Sequence, residues 1–599
     1  MRHLLPLLLI GCATPALAQQ VDPDPLAPTD QPADQPLETT PVAPPTATQP
    51  TPTVVAPRDW AGEFAAIRGG NWAAAQLGLA TLPDGPLKPV ATAEYLVAKN
   101  SPRAELPTIE ALLAVAPDLP QAPQLQRLAM ARGALTPPPI QTGYRLIFLG
   151  SSPRRQPARS VTGDPAADTL RAQLDPYTQA NDAAGAEALL LAQGPSLTAE
   201  AQAEMGQRVA WAYYTINQDA AAKRVADQWR GAATGDWGGR AAWISGLAAW
   251  RQNDCTGAQA AFRDTARLTT DRELGAAAYY WGARAAQACR NPAAVEPLLK
   301  AAARYPDSFY GLVARETLGM PTRLSPMAID TAGIESRPNV IRARALAAIG
   351  ERGLADEMIR YEARVGNPAN HGQLVALAAQ LGLPGTQYWL AHNGPTGARV
   401  DAAARFPTIG WRPAGGWRID PALALAHSRQ ESDFRAGVVS PAGAVGLMQV
   451  RPGTAGDIAR ARGGYVGASM LTDPATNLEY GQSYIEQIRA KGATQGQLLK
   501  VIAAYNAGPL PVARWSYIYD KGDPLLWIES VPYWETRYYV PSVLRNMFVY
   551  QGLTGERQPE LKALAQHQWP AFPSRAGSAP APRATAYGSS ALVPVGSTQ

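Results

Sequence analysis

The 599-residue chain has 54 lysines and arginines but no basic run longer than two, and no interleaving of basic with aromatic side chains. That excludes the electrostatic footprint of a nucleic-acid-binding protein. Past the N-terminus, no apolar stretch reaches the roughly 20 residues of a membrane-spanning helix. Cysteine is scarce, with Cys12, Cys255 and Cys289 only. Charged residues make up 17% of the chain against 46% hydrophobic, a balance that fits a soluble folded protein. The length is too great for one core, so two to four domains are expected.

Charge of one sign is missing locally. Residues 19–57 hold Asp22, Asp24, Asp30, Asp34 and Glu38 but no Lys or Arg. Setting these acids aside, with Arg2, Arg575 and Arg583, leaves about +7 on the remainder, against +5 for the whole chain. A mildly basic body suits an anionic polymer, although so small a charge on so large a surface discriminates little. The same segment has eleven prolines in 39 positions and cannot bury enough apolar surface to fold. We read 19–58 as a disordered Pro/Thr-rich linker and 570–599, similarly composed, as a disordered tail.

The opening "MRHLLPLLLIGCATPALAQQ" reads as an export signal occupying residues 1–18, with Arg2, a short apolar run and "ALA" ending at Ala18. A second reading stays open, because "LIGC" resembles a lipoprotein box and Cys12 would then carry a membrane-tethering lipid. Cleavage after Ala18 is favoured, which makes the expected address the periplasm, with an outer-membrane lipoprotein as the alternative. In that oxidising compartment Cys255, at a helix start, and Cys289, at the end of the next helix, form either a disulfide or two unpaired buried residues.

From Asp59 to Gly394 the pattern is helix after helix. "RVAWAYYTINQDAAAKRVADQW", "RAAWISGLAAWRQNDCTGAQAAFRDTA" and "AAYYWGARAAQACRNPAAVEPLLKAAA" read as three versions of one hairpin, turning at Asn217, Asn253 and Asn291. Such a period predicts hairpins stacked into a superhelix over 59–336, with the aromatic stripe as core. The interruption "TGYRLIFLGSSPRRQPARSVTG" reads as a loop or short strand pair, and 337–404 as a helical linker domain. Beyond it, "IDPALALAHSRQE" has Asp420 as N-cap and Pro421 at the first helical position, and "TDPATNLEYGQ" repeats the device with Asp473 and Pro474. "QLLKVIAAYNAG" and "PSVLRNMFVYQGLTG" supply two more helices, completing a mostly α unit over 405–560.

That unit holds the segment least like its surroundings. The helix ends just after Glu431 and runs into "AGVVSPAGAVGLMQV", whose small residues let a ligand approach the backbone. Burial beside Val445, Leu447 and Met448 would disfavour the anion and leave Glu431 a proton to donate near neutrality. Breaking a glycosidic bond needs such an acid.

"ES-x-F" at 431–434, "SP-x-GA-x-GLMQ" at 440–449, "AYNAG" at 504–508 and "ES-x-P-x-x-ETR-x-YV" at 529–540 occur in that order. Together they resemble the soluble lytic murein transglycosylases, large periplasmic enzymes with a superhelical N-terminal region and a goose-lysozyme-like catalytic domain. The resemblance implies a mostly α fold and a peptidoglycan glycan strand as substrate, with other cell-wall enzymes as candidate partners. It implies no cofactor and no metal. It makes Glu431 the sole catalytic acid/base, and Ser440, Met448, Gln449, Tyr505, Asn506, Glu529 and Tyr539 substrate-binding residues. Met448 reads equally well as core, Glu529 as a surface carboxylate, Ser440 as a turn residue, and His427 as a packed histidine. The implied reaction cleaves the MurNAc-β-1,4-GlcNAc bond and closes a 1,6-anhydro ring on MurNAc. Asp433, the nearest second carboxylate, lies two residues along the helix and points away from Glu431. A hydrolytic muramidase and a non-catalytic peptidoglycan-binding scaffold are the alternatives.

Overall fold

In the computed structural model of the chain, residues 54–573 are described. The export signal, Cys12, the linker up to Thr53 and the tail from Ser574 lie outside the described residues. Within them the architecture is α-helical: twenty-six α-helices and one two-stranded ribbon, Ile147–Phe148 antiparallel to Asn393–Gly394.

The expected hairpins are present as Ala199–Thr215 with Asp219–Arg230, Asp236–Arg251 with Cys255–Leu268, and Arg272–Ala288 with Pro292–Ala303. Each turn places one residue in the left-handed region two positions after the first helix ends. That residue is Asn217 (φ 60°), Asn253 (φ 63°) and, in the third hairpin, Arg290 (φ 56°). Asn291, expected there from its neighbours, falls one position later, at the N-cap position of the next helix, where its side chain makes no capping hydrogen bond. Asn tolerates this conformation better than other non-glycine residues, so the third turn is the strained one.

Alanine and glycine bring the hairpins close, and rings fill what remains. A methyl group added at Gly246 would lie 2.6 Å from the Phe262 ring, and one at Gly206 would lie 2.2 Å from Cβ of Trp229. Tyr214, Phe262, Tyr280 and Trp281 are buried, so the aromatic stripe is core. Cys255 and Cys289 form a disulfide between adjacent hairpins, their Cα atoms 5.5 Å apart.

The apolar cores do not follow the linear boundaries at 336 and 404. Helices between 60 and 131 share one core with residues 334–404, including Phe64, Ile109, Val340, Met358 and Leu390. The hairpins from Ala167 to Ala314 share another with residues 406–572. At the chain's end, Phe572 is buried beneath the Arg489 guanidinium and Trp569 packs on Trp527, so the first residues assigned to the tail are part of the fold. The last long helix begins earlier than "PSVLRN" suggests: it spans Trp534–Leu553 with Pro541 inside it. A helix-breaking proline is tolerated there because the long buried helix is held by packing along its length.

Candidate active site

The helix Pro421–Ser432 starts where Asp420 accepts a hydrogen bond from the Ala422 N–H (2.7 Å). It stops where Asp433 and Phe434 turn left-handed at φ 52° and 62°. His427 and Glu431, four residues apart, lie on one face near the helix end. Ser432 ties that end to the following loop by donating to the Leu447 carbonyl (2.8 Å).

The loop is shaped from beneath by a residue that motif reading passed over. Asn477, fully buried, accepts the Met448 N–H (2.8 Å) and donates to the carbonyls of Val445 and Leu471 (2.8 Å each). Gly446 sits at φ 78° directly over this amide, and a methyl group there would meet Asn477 Nδ2 at 2.3 Å. The sign was an Asn inside a capped helix, next to Leu478, at a position that should face the core.

Around Glu431 three aromatic groups converge. Tyr539 donates its hydroxyl proton to Glu431 Oε1 and also contacts His427 Nδ1 at 2.8 Å. Tyr505 packs its ring 4.4 Å from that of His427 and donates to the Met448 carbonyl (2.7 Å). Burial pushes the Glu431 carboxyl up to about 7, the charge of Glu535 adds to the rise, and the Tyr539 hydrogen bond opposes it. Burial also holds both phenols well above their ordinary value, with the Glu431 charge adding to it, so both remain donors. His427 is buried and pushed down to about 3, hence neutral. Since the single Tyr539 proton goes to Glu431, the His427 proton must sit on Nδ1 and point at the Tyr539 oxygen. His427 Nε2 then remains a bare acceptor, consistent with its lack of a partner among the described residues.

The expected site residues divide. Glu431, Tyr539 and Tyr505 meet. Ser440 is half-buried on the loop, its hydroxyl accepting the Ala444 N–H at 3.0 Å and keeping its own proton to donate. Gln449 spends its amide on the Val438 and Gly446 carbonyls, which makes it a brace of the loop. Two expectations are corrected. Met448 presents its carbonyl to Tyr505, but its side chain is fully buried against Gly481, so it lines core and not groove. Glu529 is 2% exposed and paired with Arg155 (3.0 Å) and the Tyr310 hydroxyl (2.8 Å), so it is neither a cleft residue nor a surface carboxylate.

The carboxylate of that motif which does reach the site is Glu535, in "ETR". It is exposed, accepts a hydrogen bond from Asn506 Nδ2 (3.0 Å), and stands close enough for its charge to act on Glu431. Asn506 is fixed in turn by Thr536, which donates to its Oδ1 (2.6 Å). Asp433 turns away, lining a different cavity with Arg429 and Tyr388.

Residues 412–527 match the family described as "Transglycosylase SLT domain". The soluble lytic murein transglycosylase of Escherichia coli K12 is 36% identical over 155 residues, covering 25% of this chain and 24% of that protein. The membrane-bound lytic murein transglycosylase C of Histophilus somni 2336 is 29% identical over 245 residues, 35% of this chain and 66% of that protein. Among solved structures, the 70-kDa soluble lytic transglycosylase of Escherichia coli superposes with a TM-score of 0.47 at 19% identity, over 86% of this chain and all of that one. The sequence match thus spans about a quarter of the length of the soluble relative. The chain therefore carries a transglycosylase SLT domain over residues 412–527 and is similar in that region to lytic murein transglycosylases.

Proposed function

We propose that the chain is a peptidoglycan lytic transglycosylase that cleaves the MurNAc-β-1,4-GlcNAc bond and leaves a 1,6-anhydroMurNAc end. The observation that carries this reading is the Glu431 carboxyl at the end of its helix, hydrogen-bonded by Tyr539 in a pocket with Tyr505 and neutral His427 and raised by burial to about 7. At neutral pH it is available both as an acid and, once spent, as a base.

In the proposed reaction Glu431 gives its proton to the bridging oxygen, and the GlcNAc leaving group departs as an alcohol. The N-acetyl carbonyl of MurNAc assists from within the substrate. The Glu431 anion then takes the proton of the C6 hydroxyl, whose oxygen closes on C1. Atoms balance without water, and the attacking group is already attached to the substrate. Tyr539 assists the first step, because its hydrogen bond to Oε1 strengthens as that carboxyl acquires charge. The Ser440 hydroxyl, on the loop after the Glu431 helix, and the Asn506 amide are the groups we assign to substrate binding.

Glu535 is what favours a second reading, a hydrolytic muramidase. An exposed carboxylate within electrostatic reach of Glu431 is a candidate base for activating water. Digestion of sacculi followed by mass spectrometry separates the two, since hydrolysis leaves MurNAc ends heavier by one water. The proposal expects anhydro ends from the wild type and none from Glu431→Gln. Hydrated ends from the wild type would overturn it, and product from Glu431→Gln would remove Glu431 from its role. We further propose the periplasm as its location and 405–560 as the catalytic unit, which the 412–527 match supports.

A further inference from the structure

The helix that carries Glu431 has a second face, which lines a cavity. Arg429, Gln430 and Asp433 line a cavity of about 550 Å³, together with Arg154, Arg360, Arg435, Arg545 and residues of the helix Pro384–His392. Its wall is assembled from four distant segments: residues 148–154, residues 360–393, the end of the Glu431 helix with the residues just after it, and Arg545 of the helix Trp534–Leu553.

Most of the positive charge in this cavity lacks a paired carboxylate, although the Arg429 guanidinium lies over the Tyr388 (5.3 Å) and Phe406 (4.3 Å) rings. Of its five arginines, Arg360 pairs with Asp356 (2.6 Å), and the other four have no carboxylate within ion-pair distance among the described residues. Two of these four are deeply buried, Arg429 at 5% and Arg545 at 3% exposure. Their hydrogen bonds go to neutral acceptors. Arg429 donates to the Arg405 carbonyl (2.9 Å) and Asn546 Oδ1 (2.8 Å), and Arg545 to the same Asn546 oxygen (2.8 Å) and the Pro153 carbonyl. One amide oxygen therefore holds two guanidinium groups together. Burial, and then the neighbouring Arg429, pull Arg545 down to about 10.

The acidic groups that face the cluster do not cancel it. Asp433 is the only carboxylate in the lining, and it sits against the Tyr388 phenol. Glu273 and Asp307 act on Arg545 from further off. Burying like charges without counter-charge is costly, and a bound anion is the ordinary remedy. Guanidinium forks suit carboxylate and phosphate oxygens alike. The cavity is of the size that takes an organic ligand and is larger than a bare ion requires.

We propose that this cavity is an anion-binding site for a small organic ligand bearing at least two anionic oxygen groups, carboxylate or phosphate, distinct from the cleft at Glu431. Residues 429 and 431 are separated by about 200° around the helix, so the ligand sits behind the catalytic face while touching the same element. The inference does not depend on the transglycosylase reading, and its test leaves that reading untouched.

The test is calorimetric titration of the whole chain with three probes: the dipeptide glutamyl-glutamate, the zwitterion glutaminyl-glutamine, which lacks both side-chain carboxylates, and inorganic phosphate. Arg154→Glu/Arg435→Glu reverses two exposed charges at the cavity wall and leaves the buried cluster intact. Glutamyl-glutamate is expected to bind the wild type and glutaminyl-glutamine not to, with the variant weaker by at least about tenfold. Inorganic phosphate binding more tightly than the dipeptide would mark a bare-ion site and overturn the organic-ligand assignment. No binding of either anion at about 10 mM, or binding unchanged in the variant, would overturn the site itself.

Discussion

Removing the Tyr539 hydroxyl isolates the force that opposes burial at Glu431. Burial raises the carboxyl to about 7, and the hydrogen bond from Tyr539 pulls the other way. A hydrogen bond to a charged group contributes about 1.5–3 kcal/mol, and each pH unit corresponds to about 1.4 kcal/mol. Tyr539→Phe should therefore raise Glu431 further and shift the alkaline limb of the kcat/KM profile upward by about one to two pH units. The direction is set because the lost donor favoured the anion. His427, held down at about 3, does not titrate in this range and cannot mimic the effect. The rate at the optimum should also fall, since the anion formed on proton transfer loses its donor. The assay is release of soluble fragments from sacculi between pH 5 and pH 10 (about that range covers both limbs). An unmoved limb, or one shifted to lower pH, would refute the claim that Tyr539 stabilises the charged form.

Three other consequences can be measured on folded protein. Glu431→Gln should be more resistant to heat than the wild type at pH 8. The folded carboxyl lies above its ordinary value, at about 7, so wild-type stability falls as pH rises from about 4.5 to 7, and the amide escapes that loss. Thermal scans that coincide at pH 8, or that differ at pH 4 as much as at pH 8, would contradict this. Arg155→Met leaves Glu529 buried and charged beside Tyr310, and should cost about 3–5 kcal/mol of stability, read as a lower unfolding midpoint, with Arg155→Met/Glu529→Gln recovering part of it. Asn477→Ala orphans the Met448 N–H and two carbonyls. It should lower kcat more than it changes the Glu431-dependent pH limb, because it loosens the loop without touching the acid.

How much of this could be read from sequence depended on whether the decisive partner was local. The caps at Asp420 and Asp473 act over two or three residues, and both helices start where the caps predict. Turn asparagines are local too, and two of three were found; Arg290 escaped because left-handed backbone at an arginine carries no sequence mark. Glu431 was legible because helix end, small-residue turn and apolar run are contiguous. Glu529 and Glu535 were not distinguishable in the same way. They belong to one motif six residues apart, and what separates them is Arg155, 374 positions upstream in a loop with no regular pattern. Met448 shows the same limit: its backbone serves the site while its side chain serves the core.

The misassigned Glu529 explains what the helical hairpins do for the site. The helix Pro524–Ser530 immediately precedes the one that carries Glu535 and Tyr539. Its residues are held by the hairpin region at several points: Asp523 by Arg284 (2.6 Å), Glu529 by Tyr310, and Ser530 by Tyr214 (3.0 Å). Arg155 adds a tie from the extended loop, and Arg537, within the next helix, lies 3.6 Å over the Trp211 ring. Tyr539 is two residues beyond Arg537. Its hydroxyl must stay within hydrogen-bond distance of Glu431, and errors of about 1 Å in such a contact are expected to cost rate steeply. In the proposed reaction the hairpin region is therefore expected to serve as a rigid mount for Tyr539, whose partner Glu431 has no hydrogen bond to that region among the described residues. Loss of Arg155 should accordingly lower activity at temperatures well below the unfolding midpoint, with the loss appearing in kcat. Activity that stayed at the wild-type level until the protein unfolded would show that Tyr539 is positioned by residues 405–560 alone.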